Sequence, residues 1–338
     1  MSRVLLLFGG RSAEHDVSCT SAVAIYDALL EAGHRVIPVG IDRDGEWWIV
    51  DSTRRPFRAE GRSAALRLPD GRLLVGDDDL GYDVVFPVLH GPYGEDGTMQ
   101  GVFEIAGKPY VGCGVLPSAL AMDKDIAKQV FEAADIPTSR WRVVRGVDYR
   151  SDPSGTVSTL LKYLGSPVFV KPAELGSSVG ISKAEEPAEV KDAIDEALRY
   201  GEKVIVEEFI SGREIEVAVL EGPRTALPGE VHSAGDWYDY DSKYEDDASE
   251  FEVPAKLPEH GVAEVRSLAA RAFEAIEGRG LARVDFFFEE NGRGFLINEV
   301  NTMPGFTPIS GFPKMWTGTG MTYAELCNEL VELALSQQ

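Results

Sequence analysis

The sequence predicts an α/β chain: an N-terminal domain built on a parallel sheet, followed by smaller α+β units. Three observations carry this. Arg3–Phe8 is an apolar run of strand length, followed by Gly9-Gly10 and a helically spaced set, Ala22, Val23, Tyr26, Leu29 and Leu30. Strand, glycine turn and helix in that order open a sheet covered on both faces. Further on, Val168–Lys171 and Ile181–Lys183 read as short strands flanking Glu174-Leu-Gly-Ser-Ser-Val-Gly180. Near the C-terminus, Leu281–Phe288 and Phe295–Asn298 read as a hairpin joined at Asn291–Gly292.

The remaining elements fall between these landmarks. Gly33 is a helix C-cap, and Val36–Ile41 and Tyr82–Leu89 supply the next strands. Asp44–Gly45 and Asp70–Gly71 mark turns of an irregular polar insertion, with short strands around Trp47–Val50 and Arg72–Val75. A helix follows Asp123, with Ile126, Val130, Phe131 and Ala134 on one face, and stops before Pro137. A loose segment rich in Ser and Gly leads to Val168. Val190, Ile194, Ala197 and Leu198 mark a helix ending near Gly201, and Lys203–Phe209 is a strand. In Glu214–Leu220, Ile215, Val217 and Val219 alternate with polar or small residues. Gly235 to Glu252 is acidic and aromatic, too charged for core. A helix through Val265, Leu268, Ala272 and Phe273 then enters the hairpin. Three sub-domains result.

Composition narrows the function. The 338 residues are 44% hydrophobic and 26% charged, enough apolar surface for a sizeable core. Lys and Arg number 33 against 56 Asp and Glu, a net charge of −23. So acidic a surface repels phosphate backbones and anionic lipids, which argues against nucleic-acid and membrane-surface roles. Cys19, Cys113 and Cys327 lie far apart with no Cys-x-x-Cys pair, as expected of reduced thiols. No stretch approaches the roughly 18–20 apolar residues of a membrane helix. A soluble, cytoplasmic protein is expected.

The hairpin holds the first chemical constellation. A two-residue turn at Asn291–Gly292 sets Asp285 opposite position 298, and one bulge residue, at Gly294, moves it opposite Glu299. Glu299 and Asn301 share a face two residues apart. Two carboxylates and an amide oxygen on adjacent strands repel one another unless a cation lies between them, and such hard oxygens suit Mg²⁺ or Mn²⁺. The alternative is a solvated edge pair with Lys or Arg counter-ions.

The Glu174–Gly180 loop is the second. Its glycines and serines allow an anion-binding nest of backbone N–H groups, and Lys171 at the strand end adds a cation; a plain hairpin connection is the alternative. No Walker loop occurs, and Gly112-Cys-Gly114 lacks the third glycine of a dinucleotide fingerprint. Glu14, His15 and His90 follow strand ends, where open α/β sheets bind ligands. Lys124 lies near a helix start. No Ser–His–Asp or Cys–His arrangement can be argued.

Together these segments resemble the D-alanine–D-alanine ligases of the ATP-grasp superfamily, over nearly the whole chain. The resemblance rests on Phe8-Gly-Gly-Arg-Ser-Ala-Glu-His-Asp-Val-Ser18, Leu89-His-Gly-Pro-Tyr-Gly-Glu-Asp-Gly-Thr98 and Met122-Asp-Lys-Asp125. It continues through Val170-Lys-Pro172, Gly176-Ser-Ser-Val-Gly180, Tyr238-Asp-Tyr-Asp-Ser-Lys-Tyr244, Ala282-Arg-Val-Asp285 and Asn298-Glu-Val-Asn-Thr-Met-Pro-Gly305. Their order and spacing are specific. The resemblance implies a Rossmann-like substrate domain (1–118) followed by a two-subdomain ATP-grasp fold. The central subdomain (119–215) would carry the Gly/Ser loop. The C-terminal one (216–338) would carry the lid, metal site and oxyanion donors. It also implies a homodimer, ATP and Mg²⁺ or Mn²⁺ as two ions, and ligation of two D-alanines for peptidoglycan precursors.

Carried over residue by residue, Glu14 holds the ammonium of the first D-alanine, with His90 beside it. Lys124, Lys171, Gly176, Ser178, Glu207, Glu208, Ile210 and Glu214 form the nucleotide set. Asp285, Glu299 and Asn301 match the metal ligands, in agreement with the hairpin geometry. Arg283 and the Gly305 N–H stabilise the developing oxyanion. Lys243 approaches the γ-phosphate or the second substrate, and Ser310 binds that substrate's carboxylate. Ser177, Tyr244 and Glu14 link the lid, 235–252, to the amino-acid site. Tyr244 accompanies dipeptide formation, where phenylalanine accompanies ester-forming ligases. The insertion at 51–80 departs from the family's pattern, and Glu208 stands where lysine is frequent. Two readings compete. A ligase using another nucleophile, such as D-lactate, is opposed by Tyr244 and Glu14. A non-catalytic sensor would have a broken metal trio or lack Arg283.

Overall fold

Three sheets organise the chain. In the computed structural model, residues 1–176, 179–232 and 250–336 are described. The first sheet is built on a parallel trio, with β1 (Arg3–Gly9) between β2 (Arg35–Ile41) and β7 (Val84–Val88). Val4 to Phe8 are wholly buried, as a strand covered on both faces requires. α1 (His15–Glu31) connects β1 to β2.

The polar insertion is more regular than its sequence suggests. β3 (Trp47–Ile49), β4 (Arg62–Arg67), β5 (Arg72–Val75) and β6 (Asp78–Asp79) pair antiparallel, one after another, beyond β2. The expected parallel sheet is therefore parallel only across β2-β1-β7. The sheet runs to seven strands in the order β6-β5-β4-β3-β2-β1-β7. α2 (Thr98–Ile105), α3 (Val115–Met122) and α4 (Lys124–Ala133) follow β7.

The second sheet has the order β10-β9-β11-β8, formed by β8 (Trp141–Arg145), β9 (Val168–Pro172), β10 (Ser182–Ala184) and β11 (Lys203–Glu208). The segment before Val168, expected to be loose, instead contains β8, α5 (Gly146–Ser151) and α6 (Pro153–Leu164). Asp152 accepts from the Gly155 N–H at 2.9 Å and Pro153 opens the helix, which offsets the weak propensity of its Ser, Thr and Gly. Val157, Leu160 and Leu164 then share a core with Val168, Val206 and residues of α7 (Pro187–Ala197).

The third sheet contains β12 (Arg213–Leu220), β13 (Arg224–Thr225), β14 (Gly229–His232), β15 (Glu250–Glu252), β16 (Leu281–Glu289) and β17 (Gly294–Asn301). Its main path is β15-β14-β12-β16-β17. α8 (Glu259–Ala275) covers one face, and α9 (Gly311–Thr319) and α10 (Tyr323–Ser336) end the fold. Two shared cores lock this sheet to its neighbours. Phe8 and Ile25 of the first domain pack in one cluster with Phe306, Trp316 and Leu330. Ala127 and Phe131 of α4 join Val217, Val284 and Phe286 in another, which fixes the start of α4 near β17. The three cysteines are free and buried.

Candidate active site

The β16–β17 hairpin sets the geometry. Glu289 pairs with Gly294, and Gly292 N–H bonds Glu289 O at 3.0 Å to close the turn. Asp285 lies opposite Glu299, as expected. The bulge, however, is not at Gly294. The register shifts between Asp285 and Phe286, where Asn298 is the extra residue on β17. Gly294 instead takes a positive φ of 78° at the turn exit, a conformation glycine adopts without steric cost. Asn298 Oδ1 lies 3.5 Å from Lys171 Nζ of the neighbouring sheet.

Around Asp285 the charges interlock. Arg283, two residues earlier on the same face, donates through Nε to Oδ1 at 2.8 Å and through Nη2 to Oδ2 at 2.7 Å. Asn301 Nδ2 donates to Oδ2 at 2.9 Å. Glu216 stands opposite Asp285 on β12, and its carboxylate is 3.2 Å from Arg283 Nε. Burial alone would lower the Arg283 pKa; Asp285 and Glu216 reverse this and raise it, so the guanidinium stays charged. Three carboxylates, Asp285, Glu299 and Glu216, thus face one arginine. The oxygens of Asp285, Glu299 and Asn301 fit Mg²⁺ or Mn²⁺ in donor type.

Two lysines meet this group from the other side. Asp123 caps α4 by accepting from the Asp125 and Ile126 N–H groups, both at 3.2 Å. Lys203 Nζ braces Asp123 at 2.8 Å and Asp125 at 2.9 Å. The cap presents Lys124, whose Nζ donates to Leu175 O at 2.5 Å and lies 3.9 Å from Glu299. Lys171 on β9 is 2.5 Å from Glu207 Oε2. The other Glu207 oxygen is 2.7 Å from Lys128 Nζ. Glu208, on the opposite face of β11, is taken by Arg140 and Arg293 at 2.7 Å and 2.6 Å. The structure therefore brings Glu207, and not Glu208, to the lysines. Ile210 is buried. Glu214, two residues before Glu216, faces Val231 and Phe287 across its strand.

A third group forms at the ends of β1 and β7. Ser12 Oγ donates to His90 O at 2.7 Å and accepts from Glu14 N–H at 3.2 Å. Gly91 has φ 72°, and a Cβ there would lie 2.8 Å from Glu14 Oε2. His90 Nδ1 is 2.9 Å from Met303 O, and its buried Nε2 has no partner among the described residues. Burial lowers the His90 pKa, against the pull of Glu14, so the ring is neutral. Met303 belongs to the segment that leaves Asn301, so this group and the carboxylates share one stretch of backbone. Gly305 follows, with its would-be Cβ 3.2 Å from Ser310 Oγ. Ser310 accepts from Thr307 N–H at 3.1 Å just before α9.

Three residues of this site went unselected in the sequence. Glu95 accepts from Gly91 N–H at 2.5 Å; burial, then the Glu14 carboxylate, push its carboxyl up to about 8. It lies within the quoted stretch after Leu89, yet only His90 was drawn from it. Lys128 lies one helical turn beyond Lys124, and Glu216 two strand positions beyond Glu214; those periods are the signals that could have found them. Ser177, Ser178, Lys243 and Tyr244, with the lid expected at 235–252 up to residue 249, lie outside the described residues.

Glu230, His232 and Glu252 form a second group spaced to hold a divalent cation, their ligand atoms within 4.8 Å of one another. Arg213 and Lys256 pair with Glu230 and Glu252 at 2.6 Å and 2.7 Å. Glu230 shares its face with Ile215, so this group is on the side of the sheet away from Asp285. Among the described residues, no helix is long and apolar enough to cross a membrane.

Comparison with known proteins finds relatives along nearly the whole chain. The family described as D-ala D-ala ligase N-terminus matches residues 3–113, and that described as D-ala D-ala ligase C-terminus matches residues 130–332. The chain is 44% identical over 363 residues to a D-alanine–D-alanine ligase of Pseudarthrobacter chlorophenolicus, covering 99% of this chain and 94% of that one. It is 45% identical over 347 residues to that of Heliobacterium modesticaldum, with the same coverage. Among solved structures, the D-alanine-D-alanine ligase of Coxiella burnetii matches with a TM-score of 0.85 and 33% identity, over 100% of this chain and 96% of that one. The VanG D-Ala:D-Ser ligase of Enterococcus faecalis matches with a TM-score of 0.86 and 33% identity, over 98% and 99%. The chain belongs to the D-alanine–D-alanine ligase family, with its ATP-grasp architecture.

Proposed function

We propose that the protein joins two D-alanines to D-alanyl-D-alanine with consumption of ATP, as a step toward peptidoglycan precursors. The observation that carries this is that Asp285, Glu299 and Asn301 of the third sheet, with Arg283 bonded to Asp285, meet Lys124 and Lys171 at the junction with the second sheet, which is the cleft of this reading. In this reading a phosphate chain with its cations enters at that junction and replaces the direct contacts of 3.9 Å and 3.5 Å between the two sides. The domain division 1–118, 119–215 and 216–338 belongs to the same reading, as do a homodimer and a cytoplasmic site of action.

In this reading Glu14 receives the ammonium of the first D-alanine, and the neutral His90 ring packs beside it. The carboxylate oxygen of that D-alanine attacks the γ-phosphorus of ATP; the P–O bond to ADP breaks and an acyl phosphate forms. The amine of the second D-alanine, held by Ser310 through its carboxylate, then attacks the carbonyl carbon and loses a proton. The tetrahedral intermediate expels phosphate. Arg283 and the Gly305 N–H are fixed donors for the oxyanion, which preorganisation makes more effective than water. Lys124 and Lys171 carry the phosphates, with Gly176, Ser178, Glu207, Ile210 and Glu214 around the nucleotide, while the Glu208 side chain is turned to Arg140 and Arg293. Asp285, Glu299 and Asn301 would hold two Mg²⁺ or Mn²⁺ ions, and such ions would supply charge neutralisation for the transferring phosphoryl group. Ser177, Lys243 and Tyr244 act from the loop and lid, whose closure keeps water from the acyl phosphate.

The test is phosphate release from ATP and Mg²⁺ with D-alanine, L-alanine or no amino acid, with the product identified by mass. D-Ala–D-Ala in one-to-one ratio with phosphate, from the D-isomer alone, is the expected result. No turnover by folded, ATP-binding protein would refute the substrate assignment. The likeness to a D-Ala:D-Ser ligase makes D-serine the informative competitor at the second position.

A further inference from the structure

Lys128 has no part in the chemistry above, yet it is buried in the middle of the site. Its side chain is 1% exposed on the inner face of α4. The ammonium donates to Thr138 Oγ1 at 2.8 Å and Ser139 Oγ at 2.9 Å, and lies 2.7 Å from Glu207 Oε1. Three partners use its three protons, so Lys128 has none to offer a ligand. Ser139 Oγ also donates to Glu207 Oε1 at 3.1 Å. On the other side of the same carboxylate, Lys171 Nζ is 2.5 Å from Oε2.

We propose that Lys128 is a positioning residue for phosphate binding: it neutralises Glu207 from behind, so that Glu207 aims the Lys171 ammonium at the cleft without cancelling its charge. This rests on the nucleotide reading above. With Lys128 present, two cations share Glu207, and Lys171 keeps charge for the groups on its other side, Asn298 at 3.5 Å and the Glu299 and Glu214 carboxylates. Without it, Lys171 and Glu207 close into a neutral pair in a poorly screened interior. Burial would push the Glu207 carboxyl up; Lys128 and Lys171 reverse this and hold it well below the usual carboxylate range, so the clamp stays anionic at working pH. A purely structural role would instead have Lys128 tie α4 to Thr138 and Ser139.

Titrating wild type, Lys128→Met and the double variant K128M/E207Q with ADP plus Mg²⁺, and separately with adenosine, distinguishes the two. Lys128→Met should weaken ADP by about tenfold or more while adenosine changes less than about twofold. Because Glu207 also belongs to the nucleotide set, Glu207→Gln alone is the reference for the double variant, which should bind ADP within about twofold of it, since with the carboxylate gone the Lys171 charge no longer depends on Lys128. In turnover, KM for ATP should rise by a larger factor than kcat falls. The proposal is overturned if Lys128→Met binds ADP as wild type does. Loss of ADP and adenosine together, with the double variant as much weaker than Glu207→Gln as Lys128→Met is than wild type, also overturns it. Should Lys128→Met alone not fold, the double variant decides: ADP affinity within about twofold of Glu207→Gln supports the proposal, and a further loss of about tenfold refutes it. A wild type that binds no ADP would refute the nucleotide reading itself, and this proposal with it.

Discussion

In the proposed reading a divalent cation would compete with Arg283 for Asp285, and replacing the arginine makes that competition measurable. In the absence of metal, Arg283 is what keeps Asp285, Glu216 and Glu299 from repelling one another. Arg283→Met removes two charged hydrogen bonds of 2.8 Å and 2.7 Å and a 3.2 Å contact to Glu216. Deleting one partner of a buried ion pair costs about 3–5 kcal/mol. The Arg283 and Asp285 side chains keep 18% and 13% of their exposure, and Asn301 still donates to Asp285. About 2–4 kcal/mol is therefore the expected loss, a fall in Tm of about 3–8 °C. Millimolar Mg²⁺ then finds three carboxylates with no guanidinium among them and restores much of the loss, by binding only the folded state. In wild type the ion must share Asp285 with the arginine, so its stabilisation is smaller. Thermal unfolding of both proteins in EDTA and in Mg²⁺ reads this directly. An Arg283→Met variant as stable as wild type in EDTA would refute the reasoning, as would an equal Mg²⁺ shift in the two proteins. Turnover, measured alongside, should fall by about 10²-fold or more through loss of the oxyanion donor.

Three further outcomes follow from single residues. Glu95 binds its proton more tightly folded than unfolded, with a carboxyl pushed up to about 8 by burial and Glu14; its stability contribution is present below the ordinary glutamate value and lost as pH rises toward 8. Glu95→Gln should flatten that slope by roughly 2–3 kcal/mol between about pH 5 and about pH 8.5, read from urea melts. Gly9→Ala should destabilise by about 2 kcal/mol or more, because φ is 87° and the added Cβ would lie 2.3 Å from Ile41 O; a variant with unchanged denaturation midpoint would contradict it. Tyr244→Phe should raise the D-lactate to D-alanine ratio at the second position, and product analysis showing no change would count against a role for the phenol.

The legible parts of this chain were those whose partners are near in sequence. The opposition of Asp285 and Glu299 needed only a turn and a count of residues along two strands. The bulge at Asn298 was not legible, because one extra residue anywhere on β17 gives the same net register, and Asn298 lies beside Lys171 of a different sheet. The helix at Pro153–Leu164 had local signals, Asp152 before a proline and Val157, Leu160 and Leu164 at helical spacing, but its serine, threonine and glycine masked them. The helical period from Lys124 points to Lys128 but not to its burial, and for a stronger reason. A buried charge is tolerated only where partners meet it, and Glu207, which meets Lys128, comes from a strand 79 positions away in sequence.

A chain carrying −23 should repel a nucleotide triphosphate, and the fold resolves this by sorting its charges rather than by adding positive ones. At the hairpin, Asp285, Glu299 and Glu216 outnumber Arg283. At the second sheet, Lys171 and Lys128 outnumber Glu207, and Lys124 stands beside them at the head of α4. In the proposed reading the cleft therefore has a negative side and a positive side. A bare polyanion gains from one side and loses to the other, and a bare cation meets the reverse. A phosphate chain with its divalent ions gains from both at once, and the gain depends on which way round it lies. In the proposed reading the same arrangement that overcomes the overall field would also fix the orientation of the group to be transferred, with its metal toward Asp285 and its oxygens toward Lys124 and Lys171.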